Sequence, residues 1–236
     1  MNRSINAKYA LEKAVQKDPS NEEAKLKLAE IYYIVRQYDK AHKQVDEVLR
    51  ANPKNTKAMF IKSMSFKELG DTLNAITGFE KIVEIDEANY DAFMQLGVLY
   101  SNLKNPVAVD YFSNALRVKP GSEEALYGKA FFFQNNDQLD RAIQEFTNML
   151  NENPCFLRAH FNLGYIHLVE LNVYQQAIKH FDDAIACNAK FTKAIYNKGV
   201  AYESLGDVGN ARKFFNQALA IDPEYQLAKE GLKRVQ

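Results

Sequence analysis

The side chains able to do chemistry are few and scattered. Four histidines (His42, His160, His167 and His180) and two cysteines (Cys155 and Cys187) occur in 236 residues. His160 and His167 stand seven residues apart, two turns along one helical face. A metal site needs a further donor, and no His-x-x-x-His pair or local carboxylate cluster supplies it, so the spacing predicts packing histidines with one nitrogen satisfied. The cysteines are 32 residues apart with no Cys-x-x-Cys pair. That pattern predicts neither a disulfide framework nor a four-ligand zinc site, and it fits a reducing compartment. Neither a Gly-x-x-x-x-Gly-Lys loop nor a Gly-x-Gly-x-x-Gly stretch occurs; Gly70-Asp71 and Gly206-Asp207 read as turns. Ser/His/Asp catalysis needs three groups converging in a pocket, which nothing in the pattern suggests. The expectation is therefore no catalytic residue, no metal ligand and no cofactor.

Composition narrows the remaining classes. Hydrophobic residues make up 47% and charged residues 25%, the balance of a globular chain and not of a disordered one. Lys plus Arg and Asp plus Glu are 30 each, so the net charge is zero. A protein that binds nucleic acid through phosphates carries an excess of cations, which argues against nucleic acid as a partner. No apolar run approaches the ~20 residues that span a bilayer, and the stretch Met1 to Asn6 lacks a signal-peptide core. As it stands, the chain is expected to be cytoplasmic, with no direct membrane contact.

The elements that would position any site come from an internal repeat. Asp18-Pro19, Asn52-Pro53, Lys119-Pro120, Asn153-Pro154 and Asp222-Pro223 each close an amphipathic stretch, and Pro19 to Pro53 and Pro120 to Pro154 are both 34 residues. Six repeats follow, 22–55, 56–89, 90–122, 123–156, 157–191 and 192–225, preceded by a half repeat at 1–21 and followed by a capping helix at 226–236. They read as one domain over 1–236. Within each, apolar residues recur at helical spacing on either side of a turn, as in Ile195, Gly199 and Tyr202 before Leu205-Gly206-Asp207 and Ala211, Phe215, Ala218 and Leu219 after it. Each repeat is thus two helices. A small residue recurs where they cross: Ala29, Ser63, Gly97, Ala130, Gly164 and Gly199 on the first helix, and Ala41, Ala75, Ala108, Ala142, Ala177 and Ala211 on the second. A larger side chain there would force the pair apart at roughly 1–3 kcal/mol. Tyr32, Phe66, Tyr100, Phe133, His167 and Tyr202 fill the adjacent gap.

With these residues in place the chain resembles the tetratricopeptide repeat (TPR) family. Repeat three shows Leu96-Gly97-Val98-Leu99-Tyr100, then Ala108, Phe112, Ala115 and Pro120; repeat six shows Gly199, Tyr202, Gly206-Asp207, Ala211, Phe215, Ala218 and Pro223. The resemblance implies an all-α fold in which antiparallel helix pairs stack into a right-handed superhelical solenoid, the first helices lining a concave groove. Repeat three is one residue short at Asn105-Pro106 and repeat five one residue long around Glu170 to Tyr174; both changes are expected in the helix-to-helix turn, where length varies most cheaply. Ser4 is expected to cap the half-repeat helix, and Leu227, Ala228, Leu232 and Val235 to face the core from the last one, with Lys229, Glu230, Lys233 and Arg234 in water.

The register of the resemblance also points to a site. Its first-helix groove positions hold Leu26, Phe60, Met94, Tyr127, Phe161 and Tyr196, and one turn on Glu30, Met64, Val98, Phe131, Tyr165 and Val200. Such a surface should be polar if it only faced water, whereas aromatics and Met are enriched at binding hot spots. Phe60, Met64, Met94, Tyr127, Phe131, Phe161, Tyr165 and Tyr196 are the candidate apolar anchors, and Asn162, Lys193 and Asn197 the polar ones. The two-carboxylate clamp found in some relatives that bind chaperone C-termini does not fit: Tyr127 and Phe131 stand where it needs Lys and Asn, and Asn197 where it needs Arg. An asparagine ladder is partial, with Asn162, Asn197 and Gln95 interrupted at Gly128. The expected function is a non-catalytic scaffold that binds a peptide or amphipathic helix of another protein. The alternatives are a self-assembling structural protein stacking through the open N-terminal half repeat, with a homo-oligomer as the product, or the TPR portion of a larger, membrane-anchored protein.

Overall fold

The computed structural model describes residues 2–236, with side chains from Ala7 onward. Every regular element among the described residues is a helix. The helices are α1 (Asn2–Lys17), α2 (Glu22–Ile34), α3 (Tyr38–Ala51), α4 (Thr56–Glu68), α5 (Thr72–Ile85), α6 (Tyr90–Asn102), α7 (Val107–Val118), α8 (Glu123–Asn135), α9 (Leu139–Glu152), α10 (Leu157–Tyr165), α11 (Tyr174–Cys187), α12 (Thr192–Ser204), α13 (Val208–Ile221) and α14 (Gln226–Arg234). Successive helices from α2 to α13 are the first and second helices of the six repeats. Helix α1 begins before Ser4, which lies inside it; the Ser4 side chain falls outside the described residues. The helices gather into two compact units, Met1–Ala125 and Leu126–Gln236.

Local chemistry sets the helix ends. Asn21, Asn55 and Asn89 sit just before α2, α4 and α6, and each side-chain oxygen accepts from a backbone N–H three residues on, at 2.8, 2.8 and 3.0 Å. Asp71 and Asp207 do the same before α5 and α13. These caps satisfy donors that the first turn leaves open. Before α10, α12 and α14 the cap position instead holds Phe156, Phe191 and Tyr225, with no side-chain cap. The turn joining the two helices of each repeat carries one left-handed residue: Arg36, Gly70, Lys104, Asp137, Asn172 and Gly206, with φ between 53° and 77°. Only two are glycine, so four turns hold an L side chain in a conformation it disfavours.

Packing follows the small-residue series. All six second-helix alanines are fully buried, as are Ala29 and Ala130. At Gly97, Gly164 and Gly199 the rings of Phe112, Phe181 and Phe215 lie where a Cβ would be, at 2.6, 2.5 and 2.8 Å. Those three rings are 0–1% exposed. Burying each contributes roughly 1.5–3 kcal/mol, and only a first helix without a side chain at that point lets the ring in. Charged side chains tie neighbouring repeats within each unit: Lys62 on α4 reaches Asp46 on α3 at 2.6 Å, and Lys198 on α12 pairs with Asp182 on α11. Lys198 is buried with its ammonium 4.0 Å from the Phe214 ring centroid, a cation–π contact that partly replaces lost water.

Four expectations change. The extra residue of repeat five is taken up largely in the first helix, which ends in a π-helical turn over Ile166–Glu170; only then does the chain turn at Leu171 to Val173. A π turn accepts one extra residue while keeping its carbonyls bonded, so the insertion need not lengthen the loop. Cys155 and Cys187 form a disulfide with Cα atoms 5.5 Å apart. A separation of 32 is close to one repeat period, and stacking sets such residues side by side, so a spacing that argues against a local motif suits a bridge between repeats. Leu227 is exposed, because Ala228, Gly231 and Val235 form the seam α14 presents to α13. Finally, Asn162 is buried rather than displayed on the surface.

Candidate functional site

In the unit Met1–Ala125 the candidate side chains are Phe60 and Met64 on α4 and Met94 on α6. All three are half-buried, their inner edges on the core. Phe60 meets Phe79 edge-on at 5.4 Å between centroids. Its outer edge borders a depression of about 290 Å³ lined by Glu30, Thr56, Lys57, Ile61, Asn89 and Asp91. Glu30 and Lys57 pair across that rim at 3.0 Å. Phe60 and Ile61 are thus the apolar residues of a depression otherwise lined by polar and charged side chains.

The unit Leu126–Gln236 holds the denser set. Tyr127 and Phe131, one turn apart on α8, stack at 5.5 Å and 14° between planes, and Phe131 is 37% exposed. The Arg158 guanidinium lies 5.3 Å from the Tyr127 ring centroid. The Asn162 amide donates to the Arg158 carbonyl at 2.6 Å and, at 3.5 Å, toward the Tyr127 hydroxyl. Asn162 therefore spends its amide inside the fold, on the backbone of its own helix and toward the Tyr127 hydroxyl. Arg158 was not among the expected residues; its signal is its place one turn before Asn162 on the same helix face. Phe161 packs against Phe181 and Phe191 at 6.1 and 5.6 Å, and Tyr165 is half-buried one turn further on. Tyr196 lies 5.6 Å from Phe215 and 5.5 Å from Tyr225. Phe191 and Tyr225 are the aromatic residues that replace polar caps, so the missing caps are exchanged for support under this face. Lys193 is exposed, and the Asn197 amide donates to the Lys193 carbonyl at 2.8 Å. Tyr127, Phe131 and Asn162 are thus brought together, while Tyr196, Lys193 and Asn197 form a separate group two helices along the chain.

A second cluster lies within repeat five. His160 and His167 are buried, each with one nitrogen satisfied: His160 Nε2 lies 2.9 Å from the Pro154 carbonyl and His167 Nδ1 2.7 Å from the Leu163 carbonyl. His180 on α11 faces both, with ring centroids 6.1 and 5.3 Å away. Burial first, then the His167 and His160 rings, push its pKa down to about 4, against an opposing pull from Asp183. The facing helix supplies donors that the local spacing lacks: a ring nitrogen each of His160 and His180 and a carboxylate oxygen of Asp183 lie within 4.8 Å of one another.

Comparison with known proteins agrees with this architecture. Tetratricopeptide repeat family models match residues 5–59, 56–89 and 192–225, together just over half of the chain. The chain belongs to the tetratricopeptide repeat family. Among curated relatives, a peroxisomal targeting signal receptor of Kluyveromyces lactis is 26% identical over 226 residues, covering 91% of this chain and 38% of the relative. A DnaJ homolog subfamily C member 7 homolog of Schizosaccharomyces pombe is 24% identical, covering 88% of this chain and 40% of the relative. The chain therefore spans less than half the length of these relatives. Among solved structures, the C-terminal part of a TPR repeat-containing protein from Cytophaga hutchinsonii superposes with a TM-score of 0.81 at 19% identity, covering 98% of this chain and 95% of that one. The type IV pilus biogenesis factor PilW gives 0.69 at 19% identity, over 90% and 99%. These likenesses share the all-α repeat fold.

Proposed function

We propose that this chain is a non-catalytic scaffold whose first-helix faces hold a segment of another protein, with Tyr127, Phe131 and Phe161 as the principal anchors. The observation that carries the reading is Phe131, a ring 37% exposed and stacked on Tyr127. Rigid aromatic surface offers large contact area at small entropic cost, the property of hot-spot residues. Arg158 beside that pair adds a charge for a partner carboxylate or carbonyl. The family is one of protein-interaction modules, and a relative named as a targeting-signal receptor supports the same reading. The partner would be a peptide or an amphipathic helix with apolar side chains at one-turn spacing and an acidic group near Arg158.

Compartment belongs to the same proposal. In a reducing cytosol Cys155 and Cys187 would stand as two thiols, whereas oxidising surroundings would keep them bridged. Thiol labelling of protein taken directly from its source distinguishes the two.

The test of function is capture of partners from source lysate with the native protein and with a Phe131→Asp, Phe161→Asp variant whose helicity is checked by circular dichroism. Loss of a partner with the variant alone supports the proposal. An unchanged partner list means that these rings serve packing only.

A further inference from the structure

Repeat five carries three of the four histidines, and two of them have a buried ring nitrogen with no partner: Nδ1 of His160 and Nδ1 of His180. His160 is only 7% exposed. Its Nε2 lies 2.9 Å from the Pro154 carbonyl, which can only accept. Nε2 therefore carries the proton and Nδ1 the free lone pair. A buried lone pair without a donor is costly and rare, so it calls for an explanation. On α11, His180 and Asp183 share one face at i and i+3, and one donor atom from each of His160, His180 and Asp183 lies within 4.8 Å of the others. An imidazole that binds a metal through one nitrogen usually donates its other N–H to a carbonyl or carboxylate, and His160 already does so.

We propose that His160, His180 and Asp183 form a site for a divalent transition-metal ion of the zinc type. Two imidazoles and one carboxylate match the borderline softness of zinc and are poor ligands for calcium or magnesium. Metal–ligand bonds of about 2.0–2.1 Å imply donor separations of about 3.3 Å, so the cluster closes by a modest side-chain rotation. His180 and Asp183 are only half-buried and sit on one helix, which leaves them free to make it. His167, its Nδ1 committed to the Leu163 carbonyl and its ring 5.3 Å from that of His180, is the neighbour from which a fourth ligand would come. Its place on the π-helical turn gives the single inserted residue of repeat five a purpose, since such turns re-aim side chains at sites. The Cys155–Cys187 bridge fastens the stretch next to Pro154 onto the end of α11, holding the two sides of the cluster in register. A bound ion would join the two helices of repeat five.

The test uses untagged, chelator-treated full chain with the disulfide intact. Cobalt is titrated and followed by its visible absorption, and zinc by calorimetry. The expected result is one ion per chain, with His180→Gln and Asp183→Asn each weakening binding by at least about tenfold. His42→Gln, in the other unit, should leave binding unchanged. Circular dichroism checks that the variants fold, and the near-isosteric Asp183→Asn keeps the test decisive if His180→Gln disturbs packing. Absence of stoichiometric uptake by the native chain, or equal affinity in native and variant chains, overturns the proposal. Uptake only after reduction of the disulfide also overturns this ligand set, because it would place thiolates at the metal.

Discussion

Two glycines in helices should respond to the same substitution with opposite signs. At Gly164 an added Cβ would lie 2.5, 2.8 and 2.9 Å from three carbons of the Phe181 ring, which is wholly buried. Carbon contacts are comfortable at about 3.5–4.0 Å, so the ring must retreat by about 1 Å or α10 must lift. Phe181 shares its buried cluster with Leu168, Ala177, Ala184, Ala194 and Ala201, all at most 5% exposed. Overpacking of this kind costs roughly 1–3 kcal/mol, while exchange of Gly for Ala in a helix returns up to about 1 kcal/mol, so Gly164→Ala should destabilise by about 1–2 kcal/mol. At Gly209, in the first turn of α13, the nearest atom to an added Cβ is the Asp207 carboxylate oxygen at 3.6 Å. Only the propensity gain operates there, and Gly209→Ala should stabilise by a few tenths of a kcal/mol. Urea unfolding followed by far-UV circular dichroism reads both, with midpoints compared at constant slope. Combining Gly164→Ala with Phe181→Leu should recover part of the loss and give a coupling of about 1 kcal/mol or more. Shifts of one sign at both glycines, or strict additivity of the 164–181 pair, would refute the close-crossing account of these repeats.

Lys104→Gly should stabilise by about 0.5–1 kcal/mol, since φ is 53° there and a left-handed L residue is strained, whereas Gly206→Ala (φ 76°) should lose a similar amount; thermal midpoints decide both. Reducing the Cys155–Cys187 bridge, or replacing both residues by Ser, should cost up to about 3–4 kcal/mol for a loop set by the 32-residue separation, read as a lowered urea midpoint against an unchanged native spectrum. His42 and His180 both have pKa values depressed mainly by burial, that of His180 to about 4. Each resists protonation in the fold but takes up a proton once unfolded below about pH 6.5, so stability falls as pH drops below about 6.5, for His180 down to about pH 4. Stability of metal-free protein measured across that range should decline with falling pH, and His180→Gln should flatten the decline.

How much of this was legible beforehand differs from residue to residue. Gly97, Gly164 and Gly199 could be read directly as crossing points, because a crossing repeated every 34 residues imposes the same steric limit each time, whereas the rings of Phe112, Phe181 and Phe215 that fill the space beside them were not assigned by that pattern. The apolar face at Tyr127, Phe131 and Phe161 was legible from the family register, though not that Asn162 would be buried with its amide bonded to the Arg158 carbonyl; register locates a backbone position without showing which neighbour a rotamer finds. Placement of the repeat-five insertion was not legible, since one extra residue fits a loop or a π turn equally well in sequence terms. The Cys155–Cys187 bridge and the His160, His180 and Asp183 cluster were missed for a shared reason. Motif spacing tests neighbours along one helix, whereas both features join residues on different helices that only packing brings together.

The central claim is that the first-helix aromatic face is where another protein is held. The most direct measurement places a photo-crosslinking phenylalanine analogue at position 131 in one sample and at exposed Lys213, on second helix α13, in another, then irradiates each in source lysate. The account predicts a discrete crosslinked partner at position 131, competed away by excess native chain, and none at 213. Equal crosslinking at both positions, or a specific partner only at 213, would contradict it.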